Sequence, residues 1–194
     1  MIFERETIHF YSFHFRRAYK NVKIGDPLDD TTLCGPLHNQ VAIETYKQTI
    51  EEATSQGGKI LVGGFLDLSN MKSQFSFRCF YKSGKVLEDR DGNFVTPTII
   101  QFDDCSAPVL KEERFVPILY VMKVSSLGEG IQLNNNVKQG LSSSLFTSNI
   151  QSAMKWIGPL GSDCGIVNVN IGTSGAEIGG AFGGEVSFIL KIKN

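Results

Sequence analysis

The segment from residue 161 to residue 185 has the residue types best suited to hold a ligand. A short apolar strand, predicted over residues 165–169, leads directly into a loop that is rich in glycine. Glycine lets the backbone take positive φ and approach a ligand closely, and successive N–H groups form a concave site for an anion. We therefore expect this segment to hold a small negatively charged group. A flexible surface loop is the alternative that composition alone leaves open, since glycine is common in such loops.

A second candidate group combines the acidic pair Glu112 and Glu113 with an aromatic side chain, Phe115. One carboxylate can accept hydrogen bonds from both hydroxyls of a ribose, which is a contact found in many dinucleotide sites. A plainer interpretation is a pair of solvated glutamates before a strand, with Phe115 in the core. From the residues alone, the plainer interpretation is favoured.

Other kinds of site are not expected. The chain has cysteines at Cys34, Cys79, Cys105 and Cys164 and histidines at His9, His14 and His38. No Cys-x-x-Cys pair occurs and no ligand spacing links these residues, so we expect free thiols and no metal. The net charge of −1 gives no indication of a nucleic-acid or membrane partner. With no apolar run long enough to span a bilayer and no secretory leader, the expected compartment is cytoplasmic, with a mitochondrial full-length form left open.

Helices and strands alternate along the second half of the chain, which predicts an α/β fold with a mostly parallel sheet flanked by helices. A helix is predicted to start at residues 35–37 and to end at Gly57 and Gly58, with its apolar face at helical spacing. That face consists of Ala42, Tyr46, Ile50 and Ala53. Strands are predicted over residues 59–62, 94–101, 116–124 and 141–146, and helices over residues 127–136 and 149–157. Ser126 and Glu129 form an expected capping box for the first of these helices.

Four stretches, in the same order along the chain, resemble the aldehyde dehydrogenase superfamily. Residues 24–27 and 35–38 resemble the connector that follows the nucleophile, and residues 93–99 resemble the family's -Pro-Thr- strand. Residues 111–117 resemble the Glu-Glu-x-Phe-Gly-Pro cofactor motif. The stretches 139–147, 156–170 and 173–185 are similar to the antiquitin (α-aminoadipic semialdehyde dehydrogenase) branch in particular. The chain is thus identified as part of the catalytic domain of such an enzyme.

The resemblance implies a role for each candidate group. Glu113 would hold the nicotinamide ribose of NAD, and Phe115 would pack against that end of the cofactor. Backbone N–H groups of Ser174, Gly175 and Ala176 would bind the carboxylate of a semialdehyde, which would be oxidised to the acid in lysine catabolism. Full-length members are expected to be homo-oligomers, as homotetramers.

Two features near the glycine-rich loop need an interpretation of their own. Gly172 stands where the family usually has proline, so the loop is expected to be less rigid there. Asn168 and Asn170 could tie the loop backbone together or could simply terminate the strand. The second interpretation of the two asparagines is favoured.

No catalytic residue is expected in these 194 residues. The family's nucleophile lies in a Gly-Gln-x-Cys context, which the chain does not contain, and the general-base glutamate is expected upstream. Residues 1–15 are an uncertain segment, residues 16–185 a partial catalytic domain with a non-matching insertion at 65–83, and residues 186–194 a non-matching tail. We expect no turnover from the chain alone. The alternatives are a non-catalytic paralogue that associates with full-length subunits and a damaged reading frame.

Overall fold

We describe the protein from a computed structural model. The structure describes residues 2–4, 8–63 and 92–174, with side chains from His14 onward. The chain divides after Lys123 into two compact units, and we consider each by itself. The insertion predicted at 65–83 and the tail predicted at 186–194 lie outside the described residues.

The first unit is built on a sheet of four strands. These are β1 (Ile2–Glu4), β2 (Lys59–Val62), β3 (Thr98–Phe102) and β4 (Ile118–Val124), in the spatial order β1-β4-β3-β2. The central strands β3 and β4 are parallel, and their register runs from Thr98 opposite Ile118 to Phe102 opposite Met122. Strand β2 joins β3 in the antiparallel direction, with an irregularity between Ile60 and Val62.

A helix packs on each face of this sheet: α1 (Ile8–Lys20) and α2 (Gln40–Ser55). Side chains of a strand point alternately to opposite faces. Accordingly, Ile100 and Phe102 join the core cluster that contains the buried face of α2. Ile99 precedes Ile100 in the strand and lies on the opposite face, where it packs with Val121 and with aromatic side chains of α1. The unit therefore has the helix–sheet–helix layers expected of an α/β fold.

The buried face predicted for α2 is confirmed, because all of its apolar residues are less than 9% exposed. The predicted start of this helix at residues 35–37 is wrong. The helix begins at Gln40, because the side chain of Asn39 accepts a hydrogen bond at 3.0 Å from the backbone N–H of Ala42. An N-terminal cap of this kind satisfies a donor that the helix itself leaves unpaired. The predicted end is confirmed, since Gly57 follows the helix with φ of 90°.

The second unit contains a pair of parallel strands and two helices. These elements are α3 (Leu127–Asn135), β5 (Ser142–Leu145), α4 (Ile150–Ile157) and β6 (Ile166–Val169). The hydroxyl of Ser126 accepts from the N–H of Glu129 at 3.2 Å, as the capping box predicts. The Glu129 carboxylate accepts from the N–H of Ser125 at 2.7 Å.

Among the apolar side chains of α4, Trp156 is buried, while Ile150, Met154 and Ile157 are 72%, 59% and 51% exposed. The α/β class with mostly parallel strands is confirmed: β3 with β4 and β5 with β6 are both parallel. Among the helices that the structure describes, none has the length and apolar character needed to cross a bilayer.

Candidate functional site

The segment 112–117, which carries the predicted cofactor contacts, is fixed at both ends. It follows a short 3-10 helix (Pro108–Lys111) in which Val109 is only 1% exposed. The N–H of Val109 donates to the side-chain oxygen of Gln56, at the end of α2, at 3.0 Å. At the other end, the carbonyl of Pro117 accepts from the N–H of Thr98 at 2.9 Å, where β3 begins. The segment is therefore held between α2 and the sheet.

Within this segment, one cationic side chain is anchored to two carboxylates. Arg114 Nη2 lies 2.6 Å from Glu52 Oε2 on α2 and 2.5 Å from Glu112 Oε2. The Arg114 side chain is 23% exposed, so it is better shielded from water than Lys23 and Lys59, which are 54% and 69% exposed in their ion pairs. Shielding matters because ion pairs at the open surface contribute little to stability.

The neighbouring side chains Glu113 and Phe115 are both exposed to solvent. Phe115 is 86% exposed and has φ of 48°, in the left-handed region that bulky residues rarely occupy. The plainer interpretation, which placed Phe115 in the core, is therefore wrong. Backbone strain of this kind persists only where the surroundings impose it, and it is concentrated at ligand sites.

The carboxylate of Glu113 is available for a ligand. In the described part of the chain it takes part in no hydrogen bond or ion pair, whereas the adjacent Glu112 is neutralised by Arg114. An exposed acceptor and an exposed aromatic ring thus lie two residues apart on a restrained backbone. This combination can accept hydrogen bonds from a polyol and offer a flat apolar surface beside them.

A cavity of about 210 Å³ lies beneath the segment and is lined by residues that include Thr49, Arg114 and Tyr120. Burial raises the pKa of the Tyr120 phenol to about 12. The ring of Tyr120 also meets that of Phe102 edge to face, with 5.6 Å between centroids. The cavity is therefore walled by side chains that the core and the ion pairs hold in place.

The base of the glycine-rich loop, in the second unit, is tied by side-chain hydrogen bonds. Asn170 has φ of 58°; its Oδ1 accepts from the N–H of Thr147 at 2.8 Å, and its Nδ2 donates to the Thr147 carbonyl at 2.9 Å. Asn168 Nδ2 donates to the carbonyl of Gly172 at 3.0 Å, and the Ser144 hydroxyl donates to the carbonyl of Ile171. Our favoured interpretation of the asparagines as simple strand terminators is thus wrong, because both restrain the loop backbone.

Of the three residues predicted to contact the substrate, only Ser174 is among the described residues. Ser174 is exposed at the end of the described loop. Gly175 and Ala176 lie outside the described residues, so their assignment stays a prediction. At Gly172, an added Cβ would meet only the Ser174 hydroxyl, at 4.0 Å, which leaves room for a larger residue.

The cysteines of the described residues are Cys34, Cys105 and Cys164, and all three are partly buried. Burial raises the pKa of the Cys34 thiol, which is the opposite of what activates a thiolate nucleophile. Cys79 lies outside the described residues. The described residues contain no group of three or more His, Cys, Asp or Glu side chains placed to hold a metal ion.

Sequence reasoning missed the partnership of Arg114 with Glu52, because the two residues lie 62 positions apart. It also missed the loop-restraining role of Asn170. A signal for that role was present, since asparagine adopts the left-handed conformation more readily than most residues.

Comparison with known proteins shows which family this chain resembles. A sequence model described as the aldehyde dehydrogenase family matches residues 9–187. The chain is 57% identical over 172 residues to a putative aldehyde dehydrogenase family 7 member A1 homolog of Caenorhabditis elegans, covering 88% of this chain and 28% of that protein. It is 45% identical over 185 residues to the alpha-aminoadipic semialdehyde dehydrogenase of Mus musculus, covering 95% of this chain and 30% of that protein.

A solved structure shows the same fold. The apo form of a betaine aldehyde dehydrogenase mutant from Staphylococcus aureus superposes with a TM-score of 0.76 at 23% identity, covering 96% of this chain and 33% of that one. The chain therefore spans less than a third of the length of the curated relatives described above.

Proposed function

This chain belongs to the aldehyde dehydrogenase family, and we propose that it supplies the cofactor-ribose contact and the substrate anchor for NAD-dependent oxidation of a carboxylate-bearing semialdehyde. The proposed substrate is α-aminoadipic semialdehyde, which the name of the mouse relative supports. The observation that carries the proposal is the pair of exposed side chains, Glu113 and Phe115, on a backbone restrained at both ends.

The residues of the segment fit the nicotinamide half of NAD. The Glu113 carboxylate has no competing partner in the described part of the chain, so it can accept from both hydroxyls of a ribose. The Phe115 ring, 86% exposed, offers an apolar surface next to it. Binding of NAD there would supply an acceptor for the hydride that leaves the aldehyde carbon. The contribution of this chain is to orient that end of the cofactor and to limit its movement.

The substrate anchor is proposed at Ser174, Gly175 and Ala176. Backbone N–H groups that donate to a carboxylate form charge-assisted hydrogen bonds, which are stronger than neutral ones. Anchoring the far carboxylate would select a substrate by its length as well as by its charge. The hydrogen bonds from Asn168 and Asn170 support this proposal because they restrain the backbone that leads to these residues.

We propose that the chain alone does not turn over aldehyde. Its 194 residues contain no Gly-Gln-x-Cys sequence, and the raised pKa of Cys34 disfavours a thiolate there. The test is aldehyde-dependent formation of NADH by the purified chain. Sustained NADH formation would contradict this part of the proposal.

The cofactor contact is tested by titrating the chain with NAD⁺ in a calorimeter. The substitution Glu113→Gln removes a charged acceptor whose hydrogen bonds contribute about 1.5–3 kcal/mol, so affinity should fall about 10- to 100-fold. The matched control is Asp103→Asn, which neutralises an exposed carboxylate paired with Lys59 in the same unit. Equal loss of affinity in both variants would contradict the role of Glu113.

A second candidate function is association with full-length subunits of the family, and the exposed apolar face of α4 favours it. Ile150, Met154 and Ile157 lie at helical spacing on that face, and Leu160 beyond it is 89% exposed. The test adds the chain to a full-length family 7 subunit and measures both binding and rate. Micromolar binding with a changed rate is the result that this function requires.

A further inference from the structure

We propose that Arg114 is a positioning residue that sets the conformation of Phe115 and the outward presentation of Glu113. Its ion pairs with Glu52 and Glu112 fix the backbone on one side of the strained residue. The consequence for the cofactor rests on the function proposed above, whereas the consequence for the backbone does not.

The ion pairs connect this segment to α2, one face of which is buried in the core. Glu52 lies on α2 next to Ala53, which is 0% exposed and faces the core. The Glu52 carboxylate meets Arg114 Nη2 at 2.6 Å, so the side chain of Arg114 bridges from the helix to the segment. Because α2 is held by its buried face, this bridge restrains the backbone at residue 114.

The strain at Phe115 requires restraint on both of its sides. On the far side, the carbonyl of Pro117 accepts from Thr98, and the N–H of Ile118 donates to the Val116 carbonyl at 2.8 Å. On the near side, the contacts of Arg114 supply the restraint. The 86% exposure of Phe115 means that its own ring contributes little packing to hold φ at 48°. The ion pairs of Arg114, at the residue adjacent to Phe115, act together with the more distant hydrogen bond from Val109 to Gln56 to restrain this side.

The ion pair between Arg114 and Glu112 also gives Glu112 and Glu113 different roles. Arg114 engages Glu112 at 2.5 Å and leaves the next carboxylate, Glu113, without a partner among the described residues. If Arg114 is replaced by an apolar residue, Glu52 and Glu112 become two uncompensated carboxylates near each other. Repulsion between them should push the segment away from α2 and release the restraint.

The test measures NMR order parameters of the backbone amides of residues 113–116 in the full 194-residue chain. Arg114→Met and, as a milder second variant, Glu52→Gln should lower these order parameters from about 0.85, which is typical of a rigid backbone, toward about 0.6. Arg114→Lys should lie between wild type and Arg114→Met, because lysine keeps the charge but not the planar fork of donors.

The matched control is Lys59→Met, which removes one cation from an ion pair whose side chains are 69% and 57% exposed. Its net charge change equals that of Arg114→Met, and it should leave the order parameters at 113–116 unchanged. NAD⁺ affinity is measured on the same variants, and it should fall with Arg114→Met and not with Lys59→Met.

The possible outcomes distinguish the positioning role of Arg114 from the proposed contact with NAD. Unchanged order parameters at 113–116 in both Arg114→Met and Glu52→Gln would overturn the positioning role. Lower order parameters in these variants support that role even if wild type binds no NAD⁺, a result that would count only against the proposed function. If wild type binds NAD⁺ and Arg114→Met binds it equally well, the inferred link to the cofactor is overturned.

Discussion

Replacing Phe115 with glycine should make the protein more stable while weakening its proposed cofactor contact. Phe115 has φ of 48°, and an L-residue in the left-handed region costs about 1–2 kcal/mol. Glycine has no such cost, because it lacks a Cβ. Since Phe115 is 86% exposed, loss of the ring gives up little buried surface.

The expected magnitude follows from two opposing effects. Relief of strain contributes about 1–2 kcal/mol, and the greater freedom of glycine in the unfolded chain costs about 0.5–1 kcal/mol. The net gain for Phe115→Gly should therefore lie between about 0 and 1.5 kcal/mol. Phe115→Ala keeps the Cβ and hence the strain, so it should give no comparable gain.

The assay is urea unfolding followed by far-UV circular dichroism, since the sole tryptophan, Trp156, lies in the other unit. The control is Phe146→Gly, because Phe146 is 62% exposed and is not among the described residues with positive φ. It should lower stability by about 0.5–1 kcal/mol. A lower unfolding midpoint for Phe115→Gly than for wild type would refute the argument from strain.

Three further predictions address the core, the loop and the pH response. The hydroxyl of Tyr46, a residue that is 0% exposed, bonds to the carbonyl of Thr96 at 2.7 Å, so Tyr46→Phe should lower the free energy of unfolding by about 1–2 kcal/mol in urea titrations. Gly172→Pro should raise the free energy of unfolding by about 0.4–1 kcal/mol, because φ at Gly172 is not left-handed and the space around it is open. A free energy of unfolding below that of wild type would show that the backbone at this position does not accept proline. Burial raises the pKa of Tyr120 from 10.0 to about 12, which favours its neutral form in the fold. Its stabilising contribution is complete below pH 10 and is lost as the pH approaches 12, so Tyr120→Phe should flatten the fall in stability across that window.

The parts of the fold that sequence predicts well are those governed by local periodicity. The buried face of α2 follows from apolar residues at helical spacing, and β2 was predicted over the same residues that it occupies. The start of α2 was not predicted correctly, because the side-chain cap of Asn39 outweighs the preference of Pro36 for a first turn. The position at which α2 begins depends on the hydrogen bond from the N–H of Ala42 to Asn39 rather than on the spacing of apolar residues.

In the candidate site, too, features set by local sequence were predicted and features set by long-range contacts were not. Resemblance to the family pointed to Glu113 and Phe115, and the structure shows both exposed on a fixed segment. The contact that restrains this segment joins Arg114 to Glu52 across 62 positions, and no local rule connects such residues. Restraint of the loop by Asn170 likewise depends on where Thr147 lies in the folded unit.

The central claim is that Glu113 and Phe115 meet the nicotinamide ribose of NAD, and intermolecular nuclear Overhauser contacts test it most directly. The chain, labelled at its phenylalanines, is titrated with NAD⁺ and its contacts to the nicotinamide-ribose protons are recorded. The account predicts contacts from the Phe115 ring, and their loss in Glu113→Gln but not in the Asp103→Asn control. Contacts from other phenylalanines in place of Phe115, or no contact from a chain that binds NAD⁺, would contradict it.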